Sequence, residues 1–122
     1  MKTEWKRIFC ALVLLFMAGG LAEARALHVR QSEPAAETIV DGRNVQYVVH
    51  FDGMVDHGAS RLDITENGKV VASLVPTRDS EPDVLAASAP ILAPGRYQLH
   101  WYAKSVPDGD FSDGSIPFTV RQ

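Results

Sequence analysis

The sequence predicts an all-β protein, a small antiparallel immunoglobulin-like Greek-key β-sandwich of about seven strands, preceded by a signal peptide. Three observations predict this fold. Short segments in which apolar and polar residues alternate recur along the chain after residue 26, as they do in half-buried strands. Proline and glycine separate these segments at the spacing typical of sandwiches. No window after residue 26 shows a convincing helical period.

The N-terminal segment has the pattern of a secretory signal peptide. Basic residues precede an apolar run, residues 8–18, and small residues continue to Ala26. The apolar run is shorter than the roughly 20 residues that span a bilayer. Two A-x-A cleavage sites end at Ala24 and Ala26. We therefore predict a signal peptide at 1–26, a single domain at 27–122, a periplasmic location and no stable membrane anchor after cleavage.

Composition excludes several classes of function. The single cysteine, Cys10, lies in the predicted signal peptide, so the mature chain has no disulfide, thiol nucleophile or thiolate ligand. The full chain carries 12 basic and 15 acidic residues without a basic cluster, which argues against nucleic acid as a partner. The sequence contains no nucleotide-binding loop, G-x-S-x-G or H-E-x-x-H motif, and we predict that the protein is not an enzyme.

The first half of the predicted domain contains two strands joined by a connection. The first strand covers 27–32 and ends at Glu33-Pro34. Residues 35–43 are predicted to be a connection with a turn at Asp41-Gly42. The second strand covers 45–51, where tyrosine, valine and phenylalanine alternate with other residues.

A hairpin follows at Asn67-Gly68, the strongest hairpin signal in the chain. Leu62 and Ile64 lie on its first strand, and residues 70–75 form its partner. Asp63 and Glu66 are expected on a solvated face of this hairpin. A short fifth strand is predicted at 84–87.

The segment 93–120 is predicted to be a strand, a polar loop and a closing strand. Alternating Tyr97, Leu99 and Trp101 indicate the first of these strands. Proline, glycine and aspartate between 105 and 114 predict a loop, and 116–120 alternate again. The predicted loop contains three aspartates, Asp108, Asp110 and Asp113.

Five motifs occur in order along the predicted domain. They are S-x-P at 32–34, V-x-Y-x-V-x-F at 45–51, D-x-x-x-N-G at 63–68, L-x-P-G-x-Y-x-L-x-W at 92–101 and D-G-x-x-x-x-G-x-x-x-F-x-V at 108–120. In this order and spacing they resemble the CopC-type periplasmic copper-resistance family, whose members are small sandwiches that carry copper. The last two motifs are the most specific.

The resemblance implies a Cu(II) site. In the family, a histidine at the mature N-terminus chelates through its amine and its ring, and the Asp and His of a D-G-H loop complete the site. Nitrogen and oxygen donors of this kind suit Cu(II). The corresponding predicted metal ligands are His28, Asp108 and Asp110. Some members add a methionine-rich Cu(I) site, but Met54 is the only methionine of the predicted mature chain, so Cu(II) is favoured over Cu(I).

The sequence departs from the family pattern at both halves of this site. Asp110 replaces the loop histidine, which moves the site toward harder cations. The predicted N-terminus is Leu27 or Arg25 rather than His28. Chelation of the metal by the terminal amine and the ring of one histidine is therefore expected to be lost. Cleavage after Leu27 would make His28 the terminal residue and restore this chelate, but Leu and Arg are poor residues at the positions that flank a cleavage site.

Each candidate ligand also has a structural interpretation. His28 is equally well an exposed histidine at a strand end. The loop aspartates are expected to cap turns through their own backbone N–H groups in preference to binding a cation. His50 and His100 are expected in different sheets, where they cannot share a metal ion. His57 is expected to be solvated.

The resemblance implies a protein that holds or passes copper ions. Its partners would then be the metal ion and a membrane copper transporter or another periplasmic protein. The alternative is an immunoglobulin-like interaction module that has lost the copper site.

Overall fold

A computed structural model describes residues 26–121, which form eight strands. They are β1 (Val29–Glu33), β2 (Thr38–Asp41), β3 (Gln46–Phe51), β4 (Arg61–Glu66), β5 (Lys69–Leu74), β6 (Val84–Ser88), β7 (Gly95–Lys104) and β8 (Phe111–Arg121). The predicted signal peptide lies outside the described residues except for Ala26. Between 26 and 121, no helix is long and apolar enough to cross a membrane.

The strands form two sheets that face each other. One sheet has the order β1-β3-β6, and the other has the order β2-β8-β7-β4-β5. All neighbours are antiparallel except β2 and β8, which are parallel. The chain crosses between the sheets at every connection except β4–β5 and β7–β8, which are hairpins within one sheet, and this topology is the predicted immunoglobulin-like Greek key.

The core lies between the sheets and is built from alternate residues of the long strands. On β3 and β7 the inward residues are fully or almost fully buried: Tyr47, Val49, Phe51, Tyr97, Leu99 and Trp101. Phe51 meets the ring of Trp101 edge-on at 5.1 Å and so links the two sheets. Each such side chain contributes about 1.5–3 kcal/mol through burial. The predicted alternation on these strands is confirmed.

The predicted hairpin between β4 and β5 is also confirmed. Asn67 and Gly68 both have positive φ, 52° and 80°. A tight two-residue hairpin turn needs this backbone conformation, and Asn-Gly adopts it at the lowest cost.

The expectation that residues 35–43 form only a connection is wrong. Thr38–Asp41 is a strand that pairs in parallel with the end of β8, from Thr38 beside Phe118 to Asp41 beside Arg121. Ile39 is largely exposed, so this strand has no apolar period to reveal it. Its pairing partner lies about 80 residues away and cannot be inferred from local sequence.

The predicted loop 105–114 is also too long. β8 begins at Phe111, and residues 111–114 pair with 101–104 of β7, which leaves only 105–110 as the loop. Gly114, the last residue of the predicted loop, has a packing role instead: a Cβ there would lie 2.7 Å from the indole ring of Trp101. Asp113 therefore belongs to β8 and not to the loop.

Candidate functional site

The acidic loop 105–110 is hydrogen-bonded to residues 54–56, in the connection between β3 and β4. Ser105 forms an isolated β-bridge with Val55. The backbone N–H of Val106 donates to the carbonyl of Met54 at 3.0 Å, and that of Asp56 donates to the carbonyl of Lys104 at 2.9 Å. Both connections therefore meet at one end of the sandwich.

Ser105 organises the loop itself. Its N–H donates to the carbonyl of Asp110 at 2.8 Å, and its carbonyl accepts from the N–H of Gly109 at 2.9 Å. Its hydroxyl accepts from the N–H of Asp110 at 3.2 Å. Gly109 has a φ of 77°, which favours glycine. The serine hydroxyl thus caps this turn, and the side chains of Asp108 and Asp110 are exposed to solvent.

The start of the described chain is held at the same end. Leu27 is only 7% exposed and belongs to the core. Its side chain lies so close to Gly53 that a Cβ on that glycine would be 3.0 Å from the leucine Cδ2. The N–H of Leu27 donates to the hydroxyl of Ser112 at 3.3 Å, two residues after Asp110.

His28 pairs with Asp52, the residue directly after β3. The backbone N–H of His28 donates to Oδ1 of Asp52 at 2.9 Å, and ring atom Nδ1 lies 2.9 Å from Oδ2. These two contacts, the backbone one first, lower the pKa of Asp52 despite its exposure. The histidine side chain is 75% exposed and the aspartate 41%.

This arrangement resembles the support that metal-binding histidines usually have. A carboxylate on one ring nitrogen fixes the orientation of the ring and leaves the other nitrogen for a ligand. The local sequence does not mark Asp52 as functional, because it directly follows the alternating residues of β3 and continues their pattern as one more polar position. Its place after the V-x-Y-x-V-x-F motif, beside the chain start, is visible only in the fold.

The three predicted ligands are carried by segments that meet at this end. Within 26–121, however, no group of three or more His, Cys, Asp or Glu side chains is close enough together to hold a metal ion. The assignment of His28, Asp108 and Asp110 as ligands stays a prediction.

Two of the other histidines, His57 and His100, have side-chain contacts of their own. His50 lies on β3 and His100 on β7, in different sheets as expected. His57 is partly exposed, and it also has structural contacts that the sequence does not predict: its Nε2 lies 2.9 Å from the carbonyl of Val84 and 3.1 Å from that of Glu81. His57 therefore ties the β3–β4 connection to the start of β6.

A second polar cluster lies on the outer face of the five-stranded sheet. Nε2 of His100 is 2.9 Å from Asp113, and its ring stacks on Tyr102 at 4.4 Å. The Arg61 guanidinium lies 4.5 Å from the centre of the Tyr102 ring and 3.2 Å from Asp63. The expectation of a solvated Asp63 is wrong, since it is 2% exposed and its Oδ1 has no hydrogen-bond partner in this part of the structure.

Comparison with known proteins places these features in a wider context. The family model described as the CopC domain matches residues 29–121. The chain is similar to CopC from Methylosinus trichosporium OB3b, with 28% identity over 77% of this chain and 92% of that one, and a TM-score of 0.68. It shares its fold with PcoC, a methionine-rich copper resistance protein from Escherichia coli, with 21% identity over 80% of this chain and 100% of that one, and a TM-score of 0.68. No curated protein matches the chain.

Proposed function

Since this chain belongs to the CopC domain family, we propose that it is a periplasmic protein that binds Cu(II) and passes it on. The proposed ligands are His28, Asp108 and Asp110. The observation that carries the proposal is the His28–Asp52 pair, which orients an exposed imidazole at the end of the sandwich where the D-G loop lies.

The donors at this end suit the proposed cargo. Cu(II) is bound well by imidazole nitrogen together with carboxylate oxygen, whereas Cu(I) selects several soft thioethers. Met54 is half exposed near the loop, but it is a single thioether. The donor set therefore favours the oxidised ion.

The exposure of these donors supports a role in transfer. His28, Asp108 and Asp110 are all exposed, so another protein can reach an ion held between them. We propose a membrane copper transporter or another periplasmic protein as the partner.

The test is a titration of the exported protein with Cu(II), followed by quenching of Trp101 fluorescence and by electron paramagnetic resonance. The double variant that combines Asp108→Ala and Asp110→Ala is expected to weaken Cu(II) binding about 10- to 100-fold. The control is Glu66→Gln, which removes a carboxylate at the C-terminal end of β4, away from the proposed site. It should leave Cu(II) binding unchanged. An absence of saturable binding at micromolar Cu(II) would refute the proposal.

A metal-independent interaction module is the second candidate. It is favoured by the absence, within 26–121, of three ligand side chains close enough to hold an ion. It predicts that Asp108→Ala and Asp110→Ala leave stability and partner binding nearly unchanged. A large loss of metal affinity in either variant would count against it.

A further inference from the structure

The outer face of the five-stranded sheet carries an apolar groove at the end where the loop 105–110 lies. Tyr102 and Phe111 line it on the side of β7 and β8, and Val75 and Pro76 line it where β5 ends. We propose that this groove binds an extended peptide segment of a partner protein, in which apolar side chains are flanked by carboxylates. None of the proposed metal ligands lines the groove, so this docking site goes beyond the proposed function and does not depend on it.

The groove exposes large apolar side chains on an otherwise polar stretch of the sheet. Phe111 and Val75 are 70% and 85% exposed, and the groove has a volume of about 520 Å³. Asp113 and Ser115, the next outward residues of β8, are polar, so the apolar surface is confined to this end. Exposed apolar patches mark contact surfaces for other proteins, in which aromatic and arginine side chains are enriched. The groove therefore has the composition of a protein-binding surface.

The two aromatic rings of the groove each carry a cation. The Arg61 guanidinium lies 4.5 Å from the centre of the Tyr102 ring, and Nζ of Lys104 lies 5.7 Å from the centre of the Phe111 ring. Arg61 also contacts Asp63, but its side chain remains 58% exposed and so stays within reach of a ligand. A side chain that packs against these rings therefore lies beside positive charge.

A third cation lies beside the same groove. A guanidinium nitrogen of Arg78 is 3.7 Å from the position of a Cβ on Gly58, which lines the groove. The other five basic residues between 26 and 121 do not line it: Arg30, Arg43, Lys69, Arg96 and Arg121. This concentration of positive charge stands out in a chain whose net charge is −3. Carboxylates are the complementary groups, so we expect the partner segment to be acidic.

The groove borders a free sheet edge, which favours an extended ligand. Among the residues that the structure describes, β5 pairs with β4 alone, and its outer N–H and C=O groups have no backbone partner. The irregularity in this pairing lies between Val70 and Ala72, so the strand keeps a regular register from Ala72 to Leu74, beside the groove. A strand added to such an edge is held by main-chain hydrogen bonds and places alternate side chains in adjoining pockets.

The groove is continuous with the loop 105–110. Phe111 directly follows Asp110. The Lys104 side chain lies along the loop, with its Cε 3.7 Å from the position of a Cβ on Gly109. Docking in the groove thus places the partner segment beside the loop on which Asp108 and Asp110 are exposed.

The test is a selection of random peptides displayed on phage against the exported protein, without metal. We expect the selected peptides to alternate branched or aromatic residues with Asp or Glu. A synthetic peptide of the selected sequence should shift the amide resonances of β5, Tyr102 and Phe111 before those of other residues. Its binding should weaken several-fold at high ionic strength, because the exposed cations of the groove are then screened.

Two variants examine the contacts that the groove provides. Phe111→Ser should weaken peptide binding about 10-fold or more, since it removes an aromatic anchor. Lys104→Gln should weaken it about threefold, as expected for an exposed charge. Ile91→Ser is the matched control, because Ile91 is 71% exposed but precedes the opposite end of β7, and it should leave binding unchanged. Circular dichroism verifies that each variant is folded.

The remaining outcomes would each overturn the docking site. They are selected peptides without a shared pattern, a preference for basic peptides, and resonance shifts confined to other surfaces. Self-association of the protein that Phe111→Ser abolishes would assign the groove to a second copy of this chain and would overturn it too. Because no metal is present in these measurements, their failure leaves the proposed function intact, and a failed Cu(II) titration leaves the docking site intact.

Discussion

At the scale of single residues, Asp52 determines how His28 is presented. Its carboxylate accepts from the backbone and faces the ring of the same histidine, and both contacts favour its ionised form. The aspartate side chain is too exposed for a strong effect on stability. Its importance lies in orientation, because an unsupported imidazole on a strand end samples many rotamers.

The pH dependence of the metal-free protein follows from this contact. Because folding lowers the pKa of Asp52, its contribution to stability is fully present above the unfolded value of about 3.9 and is lost as pH falls through the folded pKa. Asp52→Asn should therefore reduce the acid-dependent loss of unfolding free energy by less than about 1 kcal/mol. Urea unfolding between neutral and acidic pH measures this, and an identical pH profile in both proteins would contradict it.

Gly114 is the second residue with a clear consequence. Replacing it with alanine would place a Cβ 2.7 Å from the indole of Trp101, which is buried between the two sheets. We expect Gly114→Ala to lower the free energy of unfolding by about 1–3 kcal/mol.

Urea unfolding followed by tryptophan fluorescence tests this expectation. Ser115→Ala, the next residue on the exposed face of β8, should change stability by less than about 0.5 kcal/mol. Equal stability of Gly114→Ala and the unmodified protein would show that the indole can be displaced.

At the scale of elements, the loop 105–110 depends on one hydroxyl. Ser105 is buried, and it caps the turn that carries Asp108 and Asp110. Ser105→Ala should cost about 0.5–1.5 kcal/mol of stability through the lost hydrogen bond. It should also speed amide exchange at Asp110 and weaken Cu(II) binding, whereas Ser112→Ala should leave exchange at Asp110 unchanged. Unaltered exchange in Ser105→Ala would refute the capping role.

Elements also show how far the sequence predicts this structure. Alternation on β3 and β7 and the Asn67-Gly68 turn are local signals, so these elements were predicted correctly. β2 depends on pairing with a strand about 80 residues away, which local sequence does not reveal. The first residues of β8 pair with the neighbouring β7, but Asp113 and Gly114 are residue types typical of turns and so mask this extension. A glycine looks the same in the sequence whether it forms a turn or makes room for a tryptophan. The role of Asp52 is also not predictable from local sequence, because its partner His28 lies 24 positions away in the chain.

At the scale of the whole molecule, copper binding should be visible in stability. An ion that binds only the folded state raises the free energy of unfolding, by about 2.7 kcal/mol at a free concentration 100 times the Kd. Thermal unfolding with and without Cu(II) should show a higher midpoint with metal, and a chelator should reverse the shift. His28→Ala should remove most of the shift, and a shift of equal size in that variant would place the ion elsewhere.

The inserted Leu27 side chain has a consequence for maturation. If the predicted signal peptide is removed at the bond between Ala26 and Leu27, the peptidase must bind that bond as extended chain, and a leucine already packed in the core resists this. Cleavage at that bond should then come before the sandwich closes. A precursor that closed too early would remain tethered to the membrane by its own leader.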